Sequence, residues 1–133
     1  MVDLIVKKSK IHGKGVFANR DFKKGEAVIR YNLKPLTKEE FNNLPDSEKH
    51  FISFREGKYW LFNSPERYVN HSCEPNVNPN FEDKCDFAVK DINEGEEIVT
   101  DYRKDDVPGL NMKCHCKTKG CKKIITNYSE RIN

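Results

Sequence analysis

Residues 68–76 read YVNHSCEPN, setting Asn70, His71 and Cys73 close together ahead of Pro75, and 41 residues beyond Cys73 comes CHCKTKGC over 114–121. That second stretch holds three of the chain's five cysteines: Cys114, Cys116 and Cys121. An odd, unevenly spread set argues against a disulfide framework and favours metal ligation. Structural zinc takes four nitrogen or sulfur ligands in a tetrahedron, so three close thiols need a fourth from elsewhere. The candidates are Cys73, Cys85, His115 and the remaining histidines. His115, wedged between two ligands, would need a strained turn to face the same ion. Cys85 falls in a strand, CDFAVK, where Cys85, Phe87 and Val89 share one face at period two and read as core. Cys73 lies in a loop opened by Asn70 and closed by Pro75, where the backbone is free to turn a thiol toward a metal.

The 133 residues suit one compact domain. A hydrophobic fraction of 36% and a mean hydropathy of -0.84 predict a thin core, many loops and a use for a metal staple. No apolar run approaches the length of a membrane span, so no membrane partner is expected. The opening MVDLIVKKSK has too short an apolar stretch for a secretory signal. The expected setting is therefore intracellular, cytoplasmic or nuclear, where thiols stay reduced. Residues 1–102 carry 16 Lys and Arg against 18 Asp and Glu, whereas 103–123 carry seven against two. This basic excess is compatible with an acidic partner such as nucleic acid. The favoured reading is a solvated lysine-rich surface compensating the negative charge of a thiolate-bound metal.

Short alternating segments punctuated by Gly, Asn, Asp and Pro predict a mainly β chain. Expected strands are Asp3–Lys8, Glu26–Tyr31, Phe51–Phe54, Tyr59–Phe62, Cys85–Lys90 and Glu97–Asp101. One short helix is expected in LTKEEFNNL, with Thr37 capping and Glu40 completing a capping box. Gly25 and Gly95 are expected to supply positive φ in the turns before two of the strands.

Four segments, GKGVFA, RYVNHSCEPN, GEEIVTDY and CHCKTKGC, together resemble the SET-domain protein lysine methyltransferases, in order and across nearly the whole chain. The resemblance implies a fold of small twisted sheets, a C-terminal pseudoknot in which the segment carrying NHSC crosses the one ending in DY, and a zinc-bound post-SET tail. It divides the chain into a SET domain over 1–104 and a tail over 105–133. It implies S-adenosylmethionine as cofactor, one structural Zn2+ held by Cys73, Cys114, Cys116 and Cys121, and a protein substrate offering an accessible lysine, a histone-like protein among the options. Direct nucleic-acid binding is the less favoured alternative.

By the same resemblance Gly13, Lys14 and Gly15 form the glycine turn along the methionine part of the cofactor, where only glycine allows so close a backbone approach. Asn70 and His71 hold the amino group and adenine, with Arg67 a weaker cofactor candidate, and Tyr102 is the catalytic tyrosine and a cofactor contact. Thr100 stands where Phe or Tyr is common in the family, which implies room for more than one methyl group. Phe51 is the aromatic nearest the position of a second channel tyrosine, with Tyr59 or Tyr68 as substitutes. Ile124, Ile125 and Tyr128 are candidates for a lid over the substrate channel. The alternative to an enzyme is a catalytically silent SET-like module that binds a protein partner.

Overall fold

A computed structural model describes residues 3–104, 110–114 and 118–126. In chain order the strands are β1 (Leu4–Lys8), β2 (Lys14–Ala18), β3 (Ala27–Arg30), β4 (Lys34–Leu36), β5 (Ile52–Arg55), β6 (Lys58–Leu61), β7 (Asn70–His71), β8 (Val77–Asn80), β9 (Cys85–Ala88), β10 (Glu97–Thr100), β11 (Met112–Lys113) and β12 (Ile124–Ile125). They form three small sheets and a hairpin, ordered β1-β2-β10-β7, β3-β9-β8, β4-β6-β5 and β11-β12. The single α-helix among the described residues, α1 (Lys38–Asn42), carries the expected reciprocal cap: the Glu40 amide donates to Thr37 Oγ1, and the Thr37 amide donates to the Glu40 carboxylate. No helix among the described residues is long and apolar enough to cross a membrane.

The expected strands appear within a residue or two of their predicted limits, while β2, β4, β7, β8, β11 and β12 were not anticipated. β2 begins at Lys14, so two of the three residues read as a glycine turn belong to a strand. β8 contains Pro79 opposite Asp86 and lies at a sheet edge, the place where a strand tolerates a residue without an N–H. Gly25 and Gly95 do adopt positive φ, +91° and +92°.

The main core gathers Val16, Phe22, Ile29, Val77, Ile92 and Ile98 from the first two sheets and the bridge between Phe22 and Ile92. β9 corrects the simple alternation expected of it. Cys85 is fully buried, but so are Asp86 and Ala88, while Phe87 is only half-buried. β9 is the central strand of its sheet, and the Tyr31 hydroxyl donates to the Asp86 carboxylate, which lets a polar side chain occupy the interior. A second, smaller cluster forms around Leu110 and Ile125, packed against Tyr102, Met112, Cys73 and Cys114.

Candidate functional site

The site is assembled where β10 is held between β2 and β7. β2 pairs antiparallel with β10, and β7 pairs parallel with it, matching Val99 to Asn70 and Thr100 to His71. The pairing continues past β7: the Ser72 amide donates to the Thr100 carbonyl, and the Asn76 amide to that of Val99. The Asn76 side chain then takes the part of another strand, donating to the Glu97 carbonyl at 2.8 Å and accepting from the Val99 amide at 2.9 Å. Segments 70–76 and 97–102 are thereby fixed against each other, and Asn70, His71 and Tyr102 arrive in one place.

Each of these residues is held by partners that restrict what it can do. Asn70 Nδ2 donates to the carbonyls of His12 and Lys14 and to Glu97 Oε2, at 3.0, 3.0 and 2.9 Å. Three acceptors around one atom require it to be the amide nitrogen, which leaves Oδ1 outside these three contacts. His71 Nδ1 accepts the Tyr102 amide at 3.0 Å, which puts the proton of the neutral ring on Nε2, and Nε2 lies 3.4 Å from Cys73 Sγ. Burial holds the His71 pKa down to about 4, with Asp101 opposing that shift and Arg103 adding to it, so the ring is neutral at neutral pH. The Tyr102 ring stands 5.4 Å from that of His71, and its hydroxyl donates to the Val69 carbonyl. With the proton directed there, the phenol oxygen faces any further polar partner as an acceptor. Behind Tyr102, buried Asp101 and Arg103 form a two-pronged pair at 2.7 and 2.6 Å. Thr100 is buried, and its Oγ1 has no hydrogen-bond partner among the described residues. An orphaned hydroxyl beside this cluster and an amide oxygen left open on Asn70 fit a polar, amine-bearing ligand.

The two glycines of the first loop serve different ends. Gly13 has φ +46° and closes the β1–β2 turn, the Ser9 amide donating to its carbonyl at 2.7 Å. Gly15 lies in β2, where a Cβ would come within 2.4 Å of Glu97 Oε2. The close approach that requires glycine at position 15 is therefore made by the protein's own carboxylate. Lys14, between them, places its ammonium 5.7 Å from the centre of the Tyr68 ring.

Cys73 and Cys114 meet with their sulfurs 3.8 Å apart. A tetrahedral zinc with Zn–S bonds of about 2.3 Å separates its sulfurs by about 3.8 Å, so this pair fits two corners of such a site. The Lys122 amide donates to Cys73 Sγ at 3.3 Å, as backbone amides do around metal-bound thiolates. Among the described residues, His71, Cys73 and Cys114 have possible ligand atoms within 4.8 Å of one another. Cys121 is half-buried and is not in that group. Cys116 and Tyr128, and His115 with them, lie outside the described residues. Cys85 is apart from the group, and burial pushes its thiol upward, as suits a core residue.

The remaining candidates are elsewhere. The Arg67 guanidinium covers the Phe51 ring at 4.5 Å, pairs with Glu48 at 3.0 Å and donates to the Phe62 carbonyl at 3.0 Å, tying 48–51 to the segment before Asn70. The two residues are thus bound to each other. Of the lid pair, Ile125 is fully buried in the cluster beside Tyr102, whereas Ile124 is 54% exposed. Alternation along β12 turns one inward and the other out. Sequence reasoning assigned no role to Glu97, Asn76 or Ser9. GEE was visible as a motif, but a carboxylate's partners in another sheet strand are not written in its own neighbourhood.

The arrangement defines a small mainly β domain in which a glycine loop, an Asn-His segment and a tyrosine just past the end of a strand are brought together. The SET domain family model matches residues 13–103, and the chain belongs to that family. It is 32% identical over 139 residues to a variant-silencing SET domain-containing protein of Plasmodium falciparum, a match covering 90% of this chain and 5% of the relative. It is 30% identical over 135 residues to a histone-lysine N-methyltransferase, H3 lysine-36 specific, of Candida glabrata, covering 90% of this chain and 19% of that one. The chain thus corresponds to a small part of each relative's length. In fold it is similar to the methyltransferase domain of human histone-lysine N-methyltransferase SETMAR, with a TM-score of 0.70 at 22% identity over 92% of this chain and 57% of that one.

Proposed function

We propose that this chain is a protein-lysine N-methyltransferase that uses S-adenosylmethionine, with a SET domain over 1–104 and a post-SET tail over 105–133. The observation that carries the reading is the parallel pairing of β7 with β10, which holds Asn70 and His71 against Tyr102 within a chain of the SET-domain family. The cofactor supplies an activated methyl group, and the reaction is an in-line displacement by an amine. In that reading Asn70 Oδ1 accepts from the cofactor's amino group, and the Gly13–Gly15 loop lies along its methionine part. The Tyr102 oxygen, its proton donated to Val69, orients the incoming lysine as an acceptor. The side chain must arrive neutral, against a free pKa of about 10.4, so a desolvating channel and proton loss to water are part of the mechanism. Buried Thr100, smaller than an aromatic residue, leaves room for more than one methyl group.

One zinc ion held by Cys73 and Cys114, with Cys116 and Cys121 completing the set, is part of the proposal. So is a histone-like substrate, supported by relatives named as histone-lysine N-methyltransferases. The test is incubation of the purified chain with labelled S-adenosylmethionine and a panel of lysine-bearing proteins. Incorporation is expected, falling roughly a hundredfold or more in Tyr102→Phe. Absence of incorporation alongside retained cofactor binding would favour the silent binding module.

A further inference from the structure

Glu97 stands between the glycine loop and Asn70 and has no part in the functions assigned above. Its carboxylate accepts from Ser9 Oγ at 2.8 and 2.9 Å and from Asn70 Nδ2 at 2.9 Å. Ser9 in turn accepts the Ile11 amide at 2.9 Å and, through its own amide, closes the loop onto Gly13. Gly15 leaves the space that the carboxylate fills. One anionic group therefore joins the glycine loop to Asn70, although the three residues it touches lie on β2, on the turn before it and on β7. A structural clamp alone would be served by a neutral side chain. The charge adds something different: an ionised acceptor polarises the Asn70 amide, makes its Oδ1 a stronger acceptor and places a negative charge behind it.

We propose that Glu97 is the positioning residue that sets how Asn70 meets the cationic amino group of the cofactor. The inference rests on the methyltransferase reading above and adds to it the residue that orients and charges the Asn70 contact. Asn70 makes the contact, and Glu97 gives it orientation and charge complementarity. Ligands that carry the amino-acid part depend on Glu97, and ligands that lack it do not.

The experiment is calorimetric titration of the full chain with S-adenosylhomocysteine and with methylthioadenosine, which shares the nucleoside but has no ammonium. Glu97→Gln keeps the shape and can still satisfy Ser9. It is expected to weaken S-adenosylhomocysteine by about tenfold while leaving methylthioadenosine within about twofold. In an Asn70→Ala background the same change should add nothing, because the residue acts through Asn70. Equal losses for both ligands, no loss for either, or a full further loss without Asn70 would overturn the proposal. Failure of the unaltered chain to bind S-adenosylhomocysteine would instead remove the methyltransferase reading itself, and the inference with it.

Discussion

Burial of Asp86 inside β9 pushes its carboxyl from 3.8 up to about 7, with the Tyr31 hydroxyl opposing that shift and neighbouring Glu66 adding to it. The folded value lies above the unfolded one, so folding favours the protonated acid. The stability it contributes is complete below about pH 4 and is lost as pH rises through about 7. The melting temperature should accordingly fall between pH 5 and pH 8, and Asp86→Asn should flatten that fall by stabilising the chain most at pH 8. Identical pH dependence in the two proteins would contradict this assignment. Glu66, raised by its own burial, leaves a smaller slope behind. Nothing in CDFAVK announces a buried acid. Alternation identified Cys85 correctly as interior, but the partner of Asp86 on the opposite face is a tyrosine 55 residues away.

At the scale of elements, Asn76 does the work of a strand. Replacing it with alanine leaves the Val99 amide and the Glu97 carbonyl without their partner beside β7. A loss of about 2–4 kcal/mol in denaturant unfolding is expected, since each buried orphan costs about 1–3 kcal/mol. A change below about 0.5 kcal/mol would show that β10 is positioned by its other neighbours. The strands with clear alternation or a Gly-Glu turn before them were legible in the sequence, as was the capping box of α1. β7, β8 and β2 were not: two residues carry no period, Pro79 argues against a strand, and Lys14-Gly15 looks like a turn until its partner is known. Residue types that belong to the site were legible as motifs. What they touch within the protein was not: nothing around Gly15 in the sequence announces that it also leaves space for Glu97.

On the scale of the whole molecule, there are two cores of unequal size among the described residues, and Tyr102 packs against the smaller. The larger is continuous through the first two sheets, and the smaller, around Leu110 and Ile125, includes Cys73 and Cys114. With so few apolar residues the smaller core would depend on the proposed metal, which would tie the loop after β7 to β11 and the segment before β12. Chelation is expected to raise amide exchange across 110–126 and to weaken S-adenosylhomocysteine by about tenfold, while exchange in β2 and β10 stays slow. Stripped protein with unchanged exchange and unchanged affinity would refute the staple. Low hydropathy and clustered cysteines are the compositional grounds for expecting such a staple, whereas the inward turn of Ile125 and outward turn of Ile124 needed the hairpin register.

The most direct test is to identify the atom that receives the methyl group. Protein labelled by the purified chain and S-adenosylmethionine, digested to amino acids, should carry its label as Nε-methyllysine, and Tyr102→Phe should remove it. Label on another side chain, or methyllysine formed equally well by the variant, would contradict the account.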